Sequence, residues 1–149
     1  MVVDFAFKRV PEYRLATFAW TGPWSDARIR REFEKVAAWA ARKGARTGKW
    51  VFLEPSERKF VVGIEVKGKV RGDGPIHLKT LPATRVASVV YDPKVIAPGV
   101  VYHGLADWLR WRRKDGDIKG SGQYREVYRG NPWTDPTAWA HTDVQIVVR

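Results

Sequence analysis

Glu126 is the residue whose surroundings in the sequence most suggest chemistry, because it stands between two tyrosines in a strand-like segment. Side chains alternate between the two faces of a strand, so Tyr124, Glu126 and Tyr128 share one face, and Arg125 and Arg129 share the other. A carboxylate among aromatic rings favours a bound cation, and each well-placed ring adds about 0.5–2 kcal/mol of cation–π attraction. The pattern indicates a site for a cationic or amphipathic molecule. A surface Glu paired with a neighbouring Arg is the alternative.

Other reaction chemistries find little support in the sequence. The chain has no Cys, which excludes disulfides, Cys-ligated zinc and a cysteine nucleophile. The histidines, His77, His103 and His141, are far apart and lack metal-ligand spacing. A Gly-x-Ser-x-Gly elbow and a phosphate-binding loop are also missing from the sequence. We therefore predict no metal site and no cofactor.

The composition is basic and rich in rings, with a net charge of +11 and 8 Trp. A hydrophobic content of 44% excludes a disordered chain. Basic clusters at 28–31, 42–46 and 110–114 lie in the predicted helices or at their ends. They fit a surface for an acidic protein or a nucleic acid, or ordinary solvated helix faces. The sequence favours the second interpretation, because no nucleic-acid-binding motif accompanies the charge.

The length and the N-terminus indicate a single soluble unit. A chain of 149 residues is typical of one domain, here 1–149. The first residues do not have the basic and apolar regions of a signal peptide, and the apolar runs are shorter than the ~18 residues that span a bilayer. We expect a cytoplasmic protein without a membrane partner.

The two halves of the chain repeat one pattern. Residues 5–11 align with 76–82 at an offset of 71 (76 − 5), each segment alternating in hydrophobicity and ending in Pro. Further matches pair Trp20 with Tyr91, Trp39 with Trp111, 50–52 with 126–128, and 62–66 with 144–148. Matches in the same order with a slowly growing offset indicate an internal duplication, with halves 1–72 and 73–149.

Each half predicts a strand, a helix and two further strands. The first strand region of each half is interrupted by Pro11 or Pro82, which leaves one bent strand or two. The first helix begins after Ser25, with Gly44 just past its end, and the second closes at Gly116. Later strands are predicted at 48–53, 60–66, 123–128 and 143–148. The fold class is therefore α+β, with about eight short, mostly antiparallel strands, two helices on one face and a cleft at the pseudo-twofold axis.

Several segments resemble the GyrI-like family, the effector-binding domain of AraC-type and MerR-type bacterial transcription regulators. They are 76–82 leading into 85–91, Leu105 with Trp108-Leu109, Arg125-Glu126-Val127-Tyr128 before Asn131-Pro132, and 142–148. The resemblance covers nearly the whole chain and is most specific in the second half. No helix-turn-helix region precedes it in this sequence, so we expect a stand-alone member.

The resemblance implies a multidrug-type ligand cleft built around the Glu of a Glu-x-Tyr motif, here Glu126 and Tyr128. Gly22-Pro23-Trp24 is similar to the family's Gly-Pro-Tyr turn, whose ring overhangs the cleft. The second-half counterpart, 92–99, departs from that pattern, and we expect Tyr102 to substitute. The candidate ligand-binding residues are Glu126, Tyr128, Tyr124, Tyr91, Trp20, Trp24, Tyr102 and Trp139, the last in a loop before the final strand.

Two alternatives to small-molecule binding stay open at this point. Some relatives resemble hydrolases that open the strained rings of cyclopropyl-type toxins. In such an enzyme Glu126 would act as general base on water, with Tyr128 or Tyr91 donating to the leaving group. The second alternative is a regulatory protein that binds a topoisomerase or a nucleic acid.

Overall fold

Eight strands form one antiparallel sheet, and three helices accompany it, in the computed structural model, which describes residues 3–113 and 120–148. The strands are β1 (Ala6–Val10), β2 (Tyr13–Thr21), β3 (Arg46–Ser56), β4 (Lys59–Lys67), β5 (His77–Leu81), β6 (Thr84–Tyr91), β7 (Gly120–Tyr128) and β8 (Thr142–Val148). The helices are α1 (Asp26–Arg42), α2 (Pro98–Arg113) and α3 (Pro136–Ala140). The predicted fold class is confirmed.

The order of the strands is symmetric about the centre of the sheet. It runs β1-β6-β8-β7-β3-β4-β2-β5, and it reads the same from either edge when each strand is exchanged for its counterpart in the other half. The strand before each proline is a separate element, since β1 pairs with β6 of the second half and β5 pairs with β2 of the first. The duplicated units thus exchange their first strands and meet at the β3–β7 pair.

Helix α1 packs its apolar stripe on the first half of the sheet. The predicted N-cap is confirmed, because Ser25 Oγ accepts from the backbone N–H of Arg28 at 3.1 Å. Gly44 follows the C-cap with a φ of +67°, a left-handed conformation that suits glycine. Ile29, Phe33, Val36 and Ala40, which share one side of the helix, are all buried in the core with residues of β2, β3 and β4.

Helix α2 covers the second half in the same way. Its buried residues Val101, Leu105 and Leu109 pack with β6 and β8. Trp108 is half-buried, and the rings of Phe5 and Phe7 lie 5.9 and 4.8 Å from its ring. Gly116, the predicted end of this helix, lies outside the described residues. No helix in the described ranges is long and apolar enough to cross a membrane.

Helix α3 was not predicted, although the sequence carries a signal for it. Asp135 caps the helix by accepting from the Thr137 backbone N–H at 2.9 Å, and Pro136 follows at the first helical position. Asp followed by Pro is a favourable helix start. The helix has only five residues, which are too few for a helical period to be recognised in the sequence. Trp139 consequently lies on a helix and not in the expected loop.

Candidate functional site

A cavity of about 1120 Å³ lies between α1, α2, α3 and the middle strands of the sheet. Both halves of the chain line it. The first half contributes Trp24, Asp26, Ile29, Phe33, Phe52 and the hairpin residues 54–57, and the second contributes Tyr91, Pro93, Pro98, Tyr102, His103, Ala106, Tyr124, Glu126, Tyr128, Trp133, Trp139 and Thr142. A largely apolar cleft of this size with a few polar groups is typical of small-molecule sites.

Glu126 lies in the wall of this cavity, half-buried, and two tyrosine hydroxyls bind its carboxylate. Tyr102 of α2 donates to Oε1, and Tyr128, two residues further along β7, donates to Oε2 at 2.5 Å. Glu126 forms no ion pair with any described residue, so the alternative of a surface Glu paired with an Arg does not describe it. Arg125 points to the opposite face of the sheet and is buried there.

The tyrosines around Glu126 are held in their neutral form. Burial, with the negative charge of Glu126 as the second cause, raises the pKa of Tyr91 to about 12. The same two causes, together with the hydrogen bond to Glu126, raise the pKa of Tyr102 and of Tyr128 well above the usual value for tyrosine. All three hydroxyls are therefore protonated near neutral pH, and those of Tyr102 and Tyr128 donate their single hydrogen to Glu126.

Aromatic rings form the walls on both sides of the carboxylate. Trp139 stacks in parallel with Tyr128 at 6.3 Å, and Tyr102 lies 5.2 Å from Tyr124. On the opposite side, the exposed ring of Trp24 meets Phe52 edge-on at 5.6 Å. Rings in these positions present both faces and edges to a ligand, so they can contact apolar groups and cations alike.

The charges that line the cavity have a single sign. Asp26, Glu54, Glu57 and Glu126 lie along it, and its lining within the described ranges includes no Lys or Arg. This contrasts with the whole chain, which has a net charge of +11. Nowhere in the described part of the chain do three His, Cys, Asp or Glu side chains group closely enough to hold a metal ion.

The structure brings the predicted site residues together, apart from Trp20. Glu126, Tyr128, Tyr124, Tyr91, Trp24, Tyr102 and Trp139 all line the cavity. Trp20 is buried beside it, 5.6 Å from the ring of Phe60, which in turn lies 5.6 Å from Trp24. Phe60 thus contacts both rings, and neither Trp20 nor Phe60 lines the cavity. The guanidinium of Arg28 lies over the indole of Trp20 at 5.4 Å.

Sequence reasoning missed several lining residues. Phe52 could have been found, because the duplication aligns it with Tyr128 and places it on the same face of its strand. Phe33 and Ile29 belong to the buried core under α1, and both also reach the cavity. The acids of the β3–β4 hairpin, Glu54 and Glu57, carry no sequence signal, because only the register of the hairpin brings them to the cavity rim.

The family of the chain follows from its sequence profile. The profile of the GyrI-like small molecule binding domain matches residues 4–149. This chain belongs to the GyrI-like family. No curated protein sequence matches this GyrI-like chain significantly. The resemblance expected from 76–91 and from the Glu-x-Tyr motif is confirmed.

Solved structures share the fold of this GyrI-like domain at low sequence identity. The C-terminal domain of EcmrR matches with a TM-score of 0.68 and 16% identity, covering 100% of this chain and 99% of that one. EcmrR in its complex with DNA matches with a TM-score of 0.73 and 15% identity. The match covers 99% of this chain but only 57% of the EcmrR chain. SAV2435 bound to tetraphenylphosphonium matches with a TM-score of 0.55 and 12% identity, covering 98% of this chain and 94% of SAV2435. A hydrolase from Listeria innocua also has a TM-score of 0.55, at 10% identity, and the match covers 97% of this chain and 91% of the hydrolase.

Proposed function

We propose that this GyrI-like domain binds an organic cation with an aromatic or otherwise apolar body, and that Glu126 provides the opposing charge. The observation that carries the proposal is the carboxylate of Glu126, bonded by Tyr102 and Tyr128 inside a ring-lined cavity. A partly desolvated carboxylate attracts a cation far more strongly than an exposed one does, because the local dielectric is low. The rings add contact area and cation–π attraction.

The sign of the charges supports a cation over an anion. An anionic ligand would meet four carboxylates in the lining and, among the described residues, no Lys or Arg to pair with. A neutral ligand would leave the charge of Glu126 unmatched. A cation with apolar substituents satisfies the carboxylate and the rings together.

The two tyrosines support a site that is stable without ligand. A buried carboxylate that lacks partners is strongly destabilising, whereas one that accepts two hydrogen bonds is partly compensated. Tyr102 and Tyr128 supply these bonds from two different elements, and so they also fix the position of the carboxylate. Little reorganisation is then needed when the ligand arrives, which favours affinity.

The solved relatives are consistent with this class of ligand and with a regulatory role. Tetraphenylphosphonium, which SAV2435 binds, is a cation surrounded by four phenyl rings. EcmrR, whose C-terminal domain shares this fold, was solved on DNA as part of a longer chain. We further propose that ligand binding by this domain regulates transcription.

A fluorescence titration tests the ligand class. Tetraphenylphosphonium should quench the tryptophans that line the cavity, and Glu126→Gln should weaken binding at least ~10-fold, a loss of about 1.4 kcal/mol. Glu54→Gln is the matched control: it removes the same charge from an exposed rim residue, so binding should change by less than ~3-fold.

Equal effects of the two variants would contradict the role of Glu126. A neutral aromatic ligand should bind wild type and Glu126→Gln with similar affinity. If the protein instead consumes a strained cyclopropyl electrophile and Glu126→Gln does not, the domain is a hydrolase with Glu126 as general base.

A further inference from the structure

A second cluster of rings and cations lies away from the cavity, where the end of α2 meets the edge of the sheet. Its centre is the ring of Phe7 on β1. The guanidinium of Arg85 lies 4.6 Å from the centroid of this ring, and that of Arg112 lies 5.8 Å from it. Arg112 also lies 6.0 Å from the rings of Trp108 and Trp111. Two arginines thus lie over aromatic rings, and neither forms an ion pair with a carboxylate of residues 3–113 or 120–148.

A third arginine adds to the positive charge here. Arg9 is the direct cross-strand partner of Arg85, and alternation along β1 puts it on the same face as Phe7. Like charges in this position destabilise a sheet. Within residues 3–113 and 120–148, no carboxylate forms an ion pair with Arg9, Arg85 or Arg112, whereas other cations, such as Lys8 and Lys43, have such partners. A bound anion would relieve this local repulsion.

Trp111 extends the cluster with an accessible ring surface. It is 61% exposed, whereas Trp39, its counterpart in the first half, is only 5% exposed. An exposed indole beside arginines is a stacking platform for nucleobases, and the guanidinium groups have the geometry to bind phosphates.

We propose that the surface formed by Phe7, Arg9, Arg85, Trp108, Trp111 and Arg112, here called the arginine–aromatic patch, binds single-stranded nucleic acid. Base stacking and phosphate pairing account for the rings and the cations together, whereas an acidic peptide would use only the cations. The patch shares no residue with the lining of the cavity, so this inference stands independently of the proposed function.

The experiment measures the binding of a fluorescently labelled 20-nucleotide oligothymidine by anisotropy, at salt concentrations from 50 to 200 mM. Each phosphate contact on a single strand contributes about −0.7 to the slope of log K against log salt. Changing Arg9, Arg85 and Arg112 together to Gln should therefore make this negative slope less steep by about 2. Trp111→Ala should weaken binding by roughly 5-fold to 100-fold at each salt concentration and leave the slope unchanged, because it removes stacking alone.

The matched control removes three charges from another surface. Arg46 and Lys67 are also like-charged cross-strand partners, and neither lies over a ring among the described contacts. Changing Arg46, Lys67 and the exposed Lys69 to Gln should therefore leave most of the affinity intact. The proposal is overturned if this control weakens binding as much as the patch variant does, or if oligothymidine fails to bind at 50 mM salt. Tighter binding of a polyglutamate peptide or of duplex DNA would also overturn it.

Discussion

The two central strands of the sheet occupy equivalent positions in the duplicated fold, yet their side chains differ in kind. On β3 the residues that face the helices are Trp50 and Phe52, and on β7 they are Glu126 and Tyr128. In the register, Trp50 lies opposite Tyr128 and Phe52 lies opposite Glu126. The duplication aligns Trp50 with Glu126 and Phe52 with Tyr128, so one backbone arrangement supports an apolar side and a polar side.

Because of this difference, the residue on β3 stabilises the fold, whereas the equivalent residue on β7 faces the ligand cavity. Trp50 is buried and stacks on Phe33 at 5.2 Å, which anchors α1 to the sheet. At the equivalent position Glu126 faces a cavity and bonds to Tyr102 of α2. Duplication therefore accounts for the shape of the cleft, and the departure from symmetry at these two positions accounts for its chemistry.

The largest expected effect compares Phe33 with Leu105, the equivalent residues on α1 and α2. Both are fully buried, so Phe33→Ala should lower the free energy of unfolding by about 3–5 kcal/mol and Leu105→Ala by about 2–5 kcal/mol. Only Phe33 lines the cavity. In a urea titration both variants should be destabilised, and tetraphenylphosphonium should bind more weakly to Phe33→Ala alone. Equal loss of binding in the two variants would contradict the conclusion that Phe33 lines the ligand cavity and Leu105 does not.

A smaller effect is expected at the tyrosines that bind Glu126. Tyr102→Phe and Tyr128→Phe each remove one hydrogen bond to a charged acceptor, and each should lower the free energy of unfolding by about 1–3 kcal/mol. Because both bond the same carboxylate, the double variant should not show the sum of the two losses. A double-mutant cycle measured by chemical denaturation checks this. Strict additivity would show that the two bonds act independently of each other.

A further effect is confined to alkaline pH. The pKa of Tyr91 is about 12 in the fold against 10.0 ordinarily, so its stabilising contribution is complete below pH 10 and is lost as the pH rises through 12. For this residue the free energy of unfolding should fall by up to about 1.4 kcal/mol per pH unit between pH 10 and pH 12. Tyr91→Phe should make that decline less steep. A variant with an unchanged alkaline slope would refute the perturbed pKa of Tyr91.

The sequence was sufficient for the architecture and for most of the polar side of the site. Period-2 and helical patterns, repeated in two halves, predict the strand regions and both long helices, because local periodicity reflects which face is buried. They leave open whether Pro11 and Pro82 each divide one region into two strands. Tyr124, Glu126 and Tyr128 followed from alternation on one strand. Symmetry with Tyr91 predicts Trp20 in the cleft, but Trp20 is buried against its cross-strand partner Phe60 and does not line the cavity. Such packing depends on side-chain sizes on neighbouring strands, and no local pattern records it.

The contribution of the hairpin acids was also beyond sequence reasoning. Glu54 and Glu57 reach the cavity only because β3 extends to Ser56, past its predicted end at residue 53. The register of β3 on β4 shifts between Leu53 and Ser56, which is an irregularity of the backbone. A change of register is a tertiary property that the residue types at those positions do not reveal.

The most direct test of the central claim is a crystal structure of the domain with tetraphenylphosphonium. We expect the cation on the β7 side of the cavity, next to the carboxylate of Glu126, with neighbouring ring centroids such as that of Tyr128 within about 6 Å of the charge. Its phenyl groups should pack towards Phe52 and Trp139. A cation bound only at the rim beside Glu54 and Glu57, or outside this cavity altogether, would contradict the account.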